Sequence, residues 1–89
     1  MARLRVYTEF LRKRNSISSQ RLRDHIDAML HTIELMPGVG SSLVKPSLKL
    51  QYGESILKAL VSPYLIVYEY DRDQDIVFVY DLISCWTVR

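Results

Sequence analysis

The chain is poor in the residues that mark specialised chemistry. It has one cysteine, Cys85, among 89 residues. A single thiol excludes an intrachain disulfide and a multi-cysteine metal site, and it fits a reducing, cytoplasmic setting. The only histidines are His25 and His31. A helix turns about 600° over that step, so the two rings fall on different faces and do not form the i, i+4 pair of a metal site. No run approaches the roughly 20 apolar residues of a membrane helix. The first residues, Met-Ala-Arg-Leu-Arg-Val, hold neither a long apolar core nor a small-residue cleavage site, which speaks against a secretory signal. Glycine and proline number three each, and there is no repeat and no low-complexity stretch. Gly38-Val39-Gly40 follows no strand and opens no phosphate-binding helix, so it reads as a turn. No local pattern suggests a Ser–His–Asp set. These absences lead us to expect no metal, no cofactor and no small-molecule substrate.

What is present is ordinary globular composition, 48% hydrophobic and 25% charged, in one domain over residues 1–89. Net charge is only +2, but it is unevenly spread. Arg3, Arg5, Arg12, Lys13, Arg14, Arg21 and Arg23 face Glu9 alone in the first 23 residues. Glu69, Asp71, Asp73, Asp75 and Asp81 face Arg72 alone near the other end. The bland reading is a solvated helix face and a polar hairpin tip; the sharper one is two ends that attract different partners, phosphate at the basic end included.

Leu22, Ile26, Met29, Ile33 and Met36 recur at helical steps, which predicts a helix from about Ser18 to Met36, stopped by Pro37-Gly38. Ser16 and Ser18 offer N-cap oxygens, and Arg23 can pair with Asp27 at i, i+4. The first 14 residues are ambiguous. Arg3-Leu4-Arg5-Val6-Tyr7 alternates like an edge strand, while Leu4, Tyr7, Phe10 and Leu11 form a helical stripe. Good helix formers and the absence of glycine and proline favour a helix over 2–14, with residues 15–18 as the turn of a helical hairpin. Residues 39–52 read as loop, with one short strand near Leu48 to Gln51, limited by Pro46. Strands follow at about Ser55–Val61, Tyr64–Tyr70 and Ile76–Leu82. Ser62-Pro63 and the loop 71–75 separate them. Tyr64, Ile66, Tyr68 and Tyr70 share one face of the middle strand; Leu65 and Val67 share the other. The expected fold is α+β: an N-terminal helical hairpin packed on a small antiparallel sheet.

In that order these pieces resemble the RelE/ParE superfamily, the toxins of type II toxin–antitoxin modules, often labelled plasmid stabilisation proteins. Val6-Tyr7 with Phe10-Leu11 looks like the family's first helix. Residues 19–30 look like its second helix, and Leu35-Met36-Pro37-Gly38-Val39-Gly40 like the exit from it. Leu57-Lys58-Ala59-Leu60-Val61-Ser62-Pro63-Tyr64-Leu65-Ile66-Val67-Tyr68 is similar to the family's basic–apolar strand, short turn and Tyr-x-Ile-x-Tyr strand. Family members usually open with a strand. Here either that strand is absent, or residues 3–8 form it and the first helix is cut short.

The resemblance implies a toxin silenced by a cognate antitoxin, with DNA gyrase the ParE-like target and ribosome-bound mRNA the RelE-like one. RNA cleavage needs a proton acceptor, a cation at the phosphorane and an acid for the leaving oxygen. Lys58, Tyr68, Arg72 and Arg89 are the groups on offer. Against them stand the bland alternatives: a snorkelling lysine for Lys58 and core packing for Tyr64, Tyr68, Tyr70 and Tyr80. Family ribonucleases cluster basic residues near the last strand, where this chain offers only Arg89. That favours the ParE-like reading over the RelE-like one. An inactive remnant that only binds antitoxin is a third reading.

Overall fold

The computed structural model describes residues 1–85. A short strand, β1 (Arg3–Val6), leads through Tyr7 into helix α1 (Thr8–Asn15), and helix α2 (Gln20–Leu35) returns. A 3-10 turn (Pro37–Val39) and helix α3 (Pro46–Tyr52) precede strands β2 (Leu57–Val61), β3 (Tyr64–Asp71) and β4 (Ile76–Ser84). The four strands form one sheet in the order β1-β4-β3-β2. The β2–β3–β4 meander is antiparallel, while β1 runs parallel to β4. The architecture is α+β as expected, and the expected antiparallel sheet gains a fourth, parallel strand. No described helix is long and apolar enough to cross a membrane.

The expectation of one helix over 2–14 is corrected: residues 3–6 are the opening strand and the first helix is the shorter piece. Two periodicities competed here, and the partner decided between them. The Arg3 N–H donates to the carbonyl of Asp75, just before β4, and the Tyr7 N–H to that of Val79 on β4, whose edge would otherwise stay unpaired. Leu4 and Val6 then face the core while Arg3 and Arg5 face water. Phe10 is the one buried residue of α1, which packs mainly on β4.

The second correction concerns the strand expected near Leu48 to Gln51, which is α3. Proline at a first helical turn costs nothing, because its missing N–H would have no intrahelical partner. Pro46 occupies that position, and Leu48 is the helix's buried anchor. The cap of α2 also differs: Ser19, not Ser16 or Ser18, accepts from the Leu22 N–H. Arg23 bonds the Ile17 carbonyl and Gln20, and Asp27 pairs with Arg14 across the helical hairpin, so the Arg23–Asp27 pair does not form.

The sheet is covered on both faces. On one, Ile26 and Ile33 of α2 and Phe10 of α1 meet Ile66, Tyr68, Val77, Val79 and Leu82. On the other, Leu48 of α3 and Val44 meet Ile56 and Val67, flanked by Tyr52, Tyr80 and Ile83. A bulge makes this possible. Val67 pairs with Asp81 but Tyr68 with Val79, so Tyr80 is an extra residue in β4. The shift keeps Val79 and Leu82 on one face while Tyr80 and Asp81 both turn towards α3.

Candidate functional site

Beside the outer edge of β2, the connection after α2 forms its own short bridge. The Ser41 N–H donates to the Lys58 carbonyl and the Lys58 N–H to the Ser41 carbonyl, each at 2.9 Å. This holds Val39, Gly40 and Ser41 as one wall of a cleft of about 500 Å³. Ala59 and Leu60 of β2, Leu65 of β3 and Cys85 line it from the sheet, Met29 from α2 and Leu48 from α3. Its cations are Lys45 and Lys58. Neither has an ion-pair partner among the described residues.

The wall is pinned from behind. Tyr68 is fully buried; its hydroxyl donates to the Pro37 carbonyl and accepts from the Gly40 N–H, both at 2.8 Å. Gly40 lies so close that a Cβ there would be 2.5 Å from the hydroxyl. Burial raises the Tyr68 pKa, against a smaller lowering by the Gly40 N–H.

Of the four site residues expected from the sequence, the three that are described lie apart. Lys58 lines the cleft. Its cross-strand partner is Val67, so it shares the face opposite Tyr68. Arg72 is exposed in the β3–β4 loop, five residues past Val67, or about 17 Å along an extended chain. Arg89 lies outside the described residues. The basic N-terminal stretch is also partly spent on internal pairs. Arg12 and Lys13 pair with Glu9, Lys13 also with Asp81, and Arg14 with Asp27. Lys45 was missed because it sits in what reads as loop, with no periodic signal. Cys85 is half-buried and lines the cleft. Among the described residues no cluster of His, Cys, Asp and Glu is placed to hold a metal ion.

A second polar cluster lies at the bulge. Asp81 is buried, 2.9 Å from the Lys13 ammonium, and accepts from the Tyr52 hydroxyl and the Leu82 N–H. Tyr80 beside it donates to Glu69 at 2.8 Å. The pKa of Tyr52 and of Tyr80 is raised, first by burial and then by these carboxylates.

A pH prediction follows. A phenol whose folded pKa is raised stabilises the fold fully below the unfolded value of about 10, and the contribution is lost as pH rises through the folded value. Tyr52, Tyr68 and Tyr80 therefore weaken the fold only above about pH 10. Phenolate absorbance near 295 nm in the native protein should lag that of the urea-unfolded chain. Superimposable titrations of the two states would show the three hydroxyls to be free.

The family described as “ParE toxin of type II toxin-antitoxin system, parDE” matches residues 2–85. No curated protein sequence matches the chain. The crystal structure of the isolated E. coli RelE toxin aligns with a TM-score of 0.72 at 16% identity, covering 94% of this chain and 84% of that one. The toxin–antitoxin complex of E. coli RelBE aligns at 0.70 with 19% identity, covering 94% of this chain and 96% of that one. Identities this low carry the fold alone, and the fold they carry is the one described above.

Proposed function

This chain belongs to the ParE toxin family of type II toxin–antitoxin systems, and from that premise we propose that it arrests growth by binding a protein target in the cytoplasm, with DNA gyrase the family precedent, and is silenced by a cognate antitoxin. One observation carries the choice of protein binding over RNA cleavage. Among the described residues the cleft offers phosphodiester chemistry only the ammonium groups of Lys58 and Lys45, and the Tyr68 hydroxyl is committed on the opposite face. Two ammonium groups can stabilise a phosphorane, but the described lining adds no carboxylate, imidazole or phenol to take and return the protons. The cleft is instead lined mostly by apolar side chains, as the centre of a protein interface is. The likeness to RelE in its complex with an antitoxin supports the partner.

Ribosome-dependent mRNA cleavage is the second reading, favoured by the unpaired Lys58 ammonium in that cleft. Induction in cells, with gyrase supercoiling and message integrity measured side by side, separates the two. The expected result is arrest, inhibited supercoiling and intact messages. Cleaved messages, with cleavage lost in Lys58→Ala, would establish the second reading. Growth without arrest would leave an inactive remnant that binds antitoxin only.

A further inference from the structure

Helix α3 leaves one end of its face of the sheet bare. There the strand pairing lines up two rows across three strands. One is Arg5 of β1, Phe78 of β4 and Glu69 of β3; the other is Arg3, Ile76 and Asp71. Their chain neighbours Val77, Val79 and Tyr70 pack in the core under the helical hairpin, so these six side chains point the other way. Ile76 and Phe78 are half-buried yet belong to neither buried cluster. Each row thus reads cation, apolar, anion. The apolar strip continues beyond Phe78: its ring stacks on Tyr80 at 6.4 Å, and Tyr7, 44% exposed, meets Tyr80 edge-on at 4.9 Å. None of the four charged groups has an ion-pair partner among the described residues. Strand β4 keeps the two signs about 10 Å apart. Residues 86–89 do not reach this end of the face. Four residues span at most about 14 Å, and Phe78 lies about 23 Å along the strand from Cys85.

A partner that satisfies this face is apolar along its centre and carries both signs, each on its own flank. A nucleic acid suits the arginines and the rings, but it sets its phosphates against Glu69 and Asp71. A second copy of the chain suits both flanks. Turned about a two-fold axis parallel to β4, it lays its own Phe78 and Ile76 on the same residues of the first copy. It also brings its Glu69 over Arg5 and its Asp71 over Arg3, and it receives the same two contacts in return. We propose that this bare end of the sheet is an isologous interface between two copies of the chain. The charges choose the orientation as well, since an axis across the strands would set arginine on arginine. The patch spans roughly 14 by 17 Å, three strands by five residues. That is well below the roughly 800 Å² per partner of a standard interface, so the association is weak and reversible. Helix α3 stands between this face and the cleft: Tyr52 stacks on Tyr80 on one side, and Leu48 lines the cleft on the other. The pairing of copies uses no residue of the cleft and does not depend on the toxin reading.

Sedimentation velocity between about 10 µM and about 1 mM should show a reversible monomer–dimer equilibrium that added salt weakens. Over the same range the amide resonances of Arg5, Glu69 and Phe78 should shift with concentration. Arg5→Glu and Glu69→Arg, each alone, set like charges together twice in every dimer. Each should weaken self-association at least about tenfold. Mixed in equal amounts, the two variants regain both contacts, because one carries glutamate at positions 5 and 69 and the other arginine at both. The mixture should associate about as tightly as the parent, and that recovery also shows that both variants are folded. Arg5 is exposed, so its reversal leaves the core untouched. A chain that stays monomeric up to about 1 mM overturns the proposal. So does self-association indifferent to both charge reversals, or a mixture no tighter than either variant alone. A mixed-sequence single-stranded oligonucleotide is the last arm. Shifts of Tyr7 and Phe78 on adding it to a chain that stays monomeric would give the face to nucleic acid and overturn the proposal as well.

Discussion

Gly40→Ala will destabilise the protein by about 3 kcal/mol, through overpacking and lost buried hydrogen bonds. The backbone torsion is not the reason: Gly40 has φ −73°, which any residue adopts. The reason is space. An added Cβ would lie 2.5 Å from the Tyr68 hydroxyl, 2.8 Å from its ring and 2.9 Å from the Lys58 carbonyl. None of these can yield cheaply. Tyr68 is fully buried in the main core, and the Lys58 carbonyl is bonded to the Ser41 N–H. The connection itself must retreat, and it then gives up the Gly40 N–H to Tyr68 bond and strains the one from Tyr68 to the Pro37 carbonyl. Urea unfolding measures the effect, with Gly38→Ala as the control. A Cβ at Gly38 meets nothing within 4 Å, so that variant should stay within about 0.5 kcal/mol of the parent. Equal midpoints for the two variants would show that the wall is not pinned. For a domain of this size, stable by about 5–10 kcal/mol, a loss of 3 is severe.

That close approach also marks where sequence reading stops. Gly38-Val39-Gly40 is legible as a turn, but nothing local says that the second glycine abuts a tyrosine 28 residues on. The face shared by Tyr64, Ile66, Tyr68 and Tyr70 is legible from alternation, since strand geometry fixes it. The opposition of Lys58 and Tyr68 is not, since it needs the pairing of Lys58 with Val67. The opening strand illustrates the same limit. Residues 3–7 satisfy both a strand and a helix pattern, and the tie is broken by a β4 edge more than 70 residues away. Helix α3 was hidden for a different reason: seven residues are too few for periodicity, and Pro46 is compatible with either a strand start or a helix start. Helix α2 and the β2–β3–β4 meander, by contrast, depend on long periodic runs and short turns, and they are legible to within a few residues.

Lys13→Met is the second large effect, about 2–3 kcal/mol, below the full cost of breaking a buried pair because Lys13 itself is about one-third exposed. Its partner is not exposed. Asp81 is only 4% accessible, and without the ammonium its charge is left to the Tyr52 hydroxyl and the Leu82 N–H. The Tyr80 bulge turns Asp81 to the α3 side of the sheet, so the carboxylate cannot swing into water without undoing the β3–β4 register. Arg12→Ala makes the contrast: its pair with Glu9 is exposed on both sides and screened by water, so its loss should leave the urea midpoint unchanged. Combining Lys13→Met with Asp81→Asn should recover most of the loss, since it removes both charges together; the double-mutant cycle then isolates the pair. The consequence extends beyond α1. Asp81 joins Lys13 of α1 to Tyr52 of α3, and α3 supplies Leu48 to the cleft. Loss of the pair should therefore speed amide exchange in α3 as well as in α1. Faster exchange confined to α1 would show that the two covers of the sheet are held independently, and that the cleft floor does not depend on the buried carboxylate.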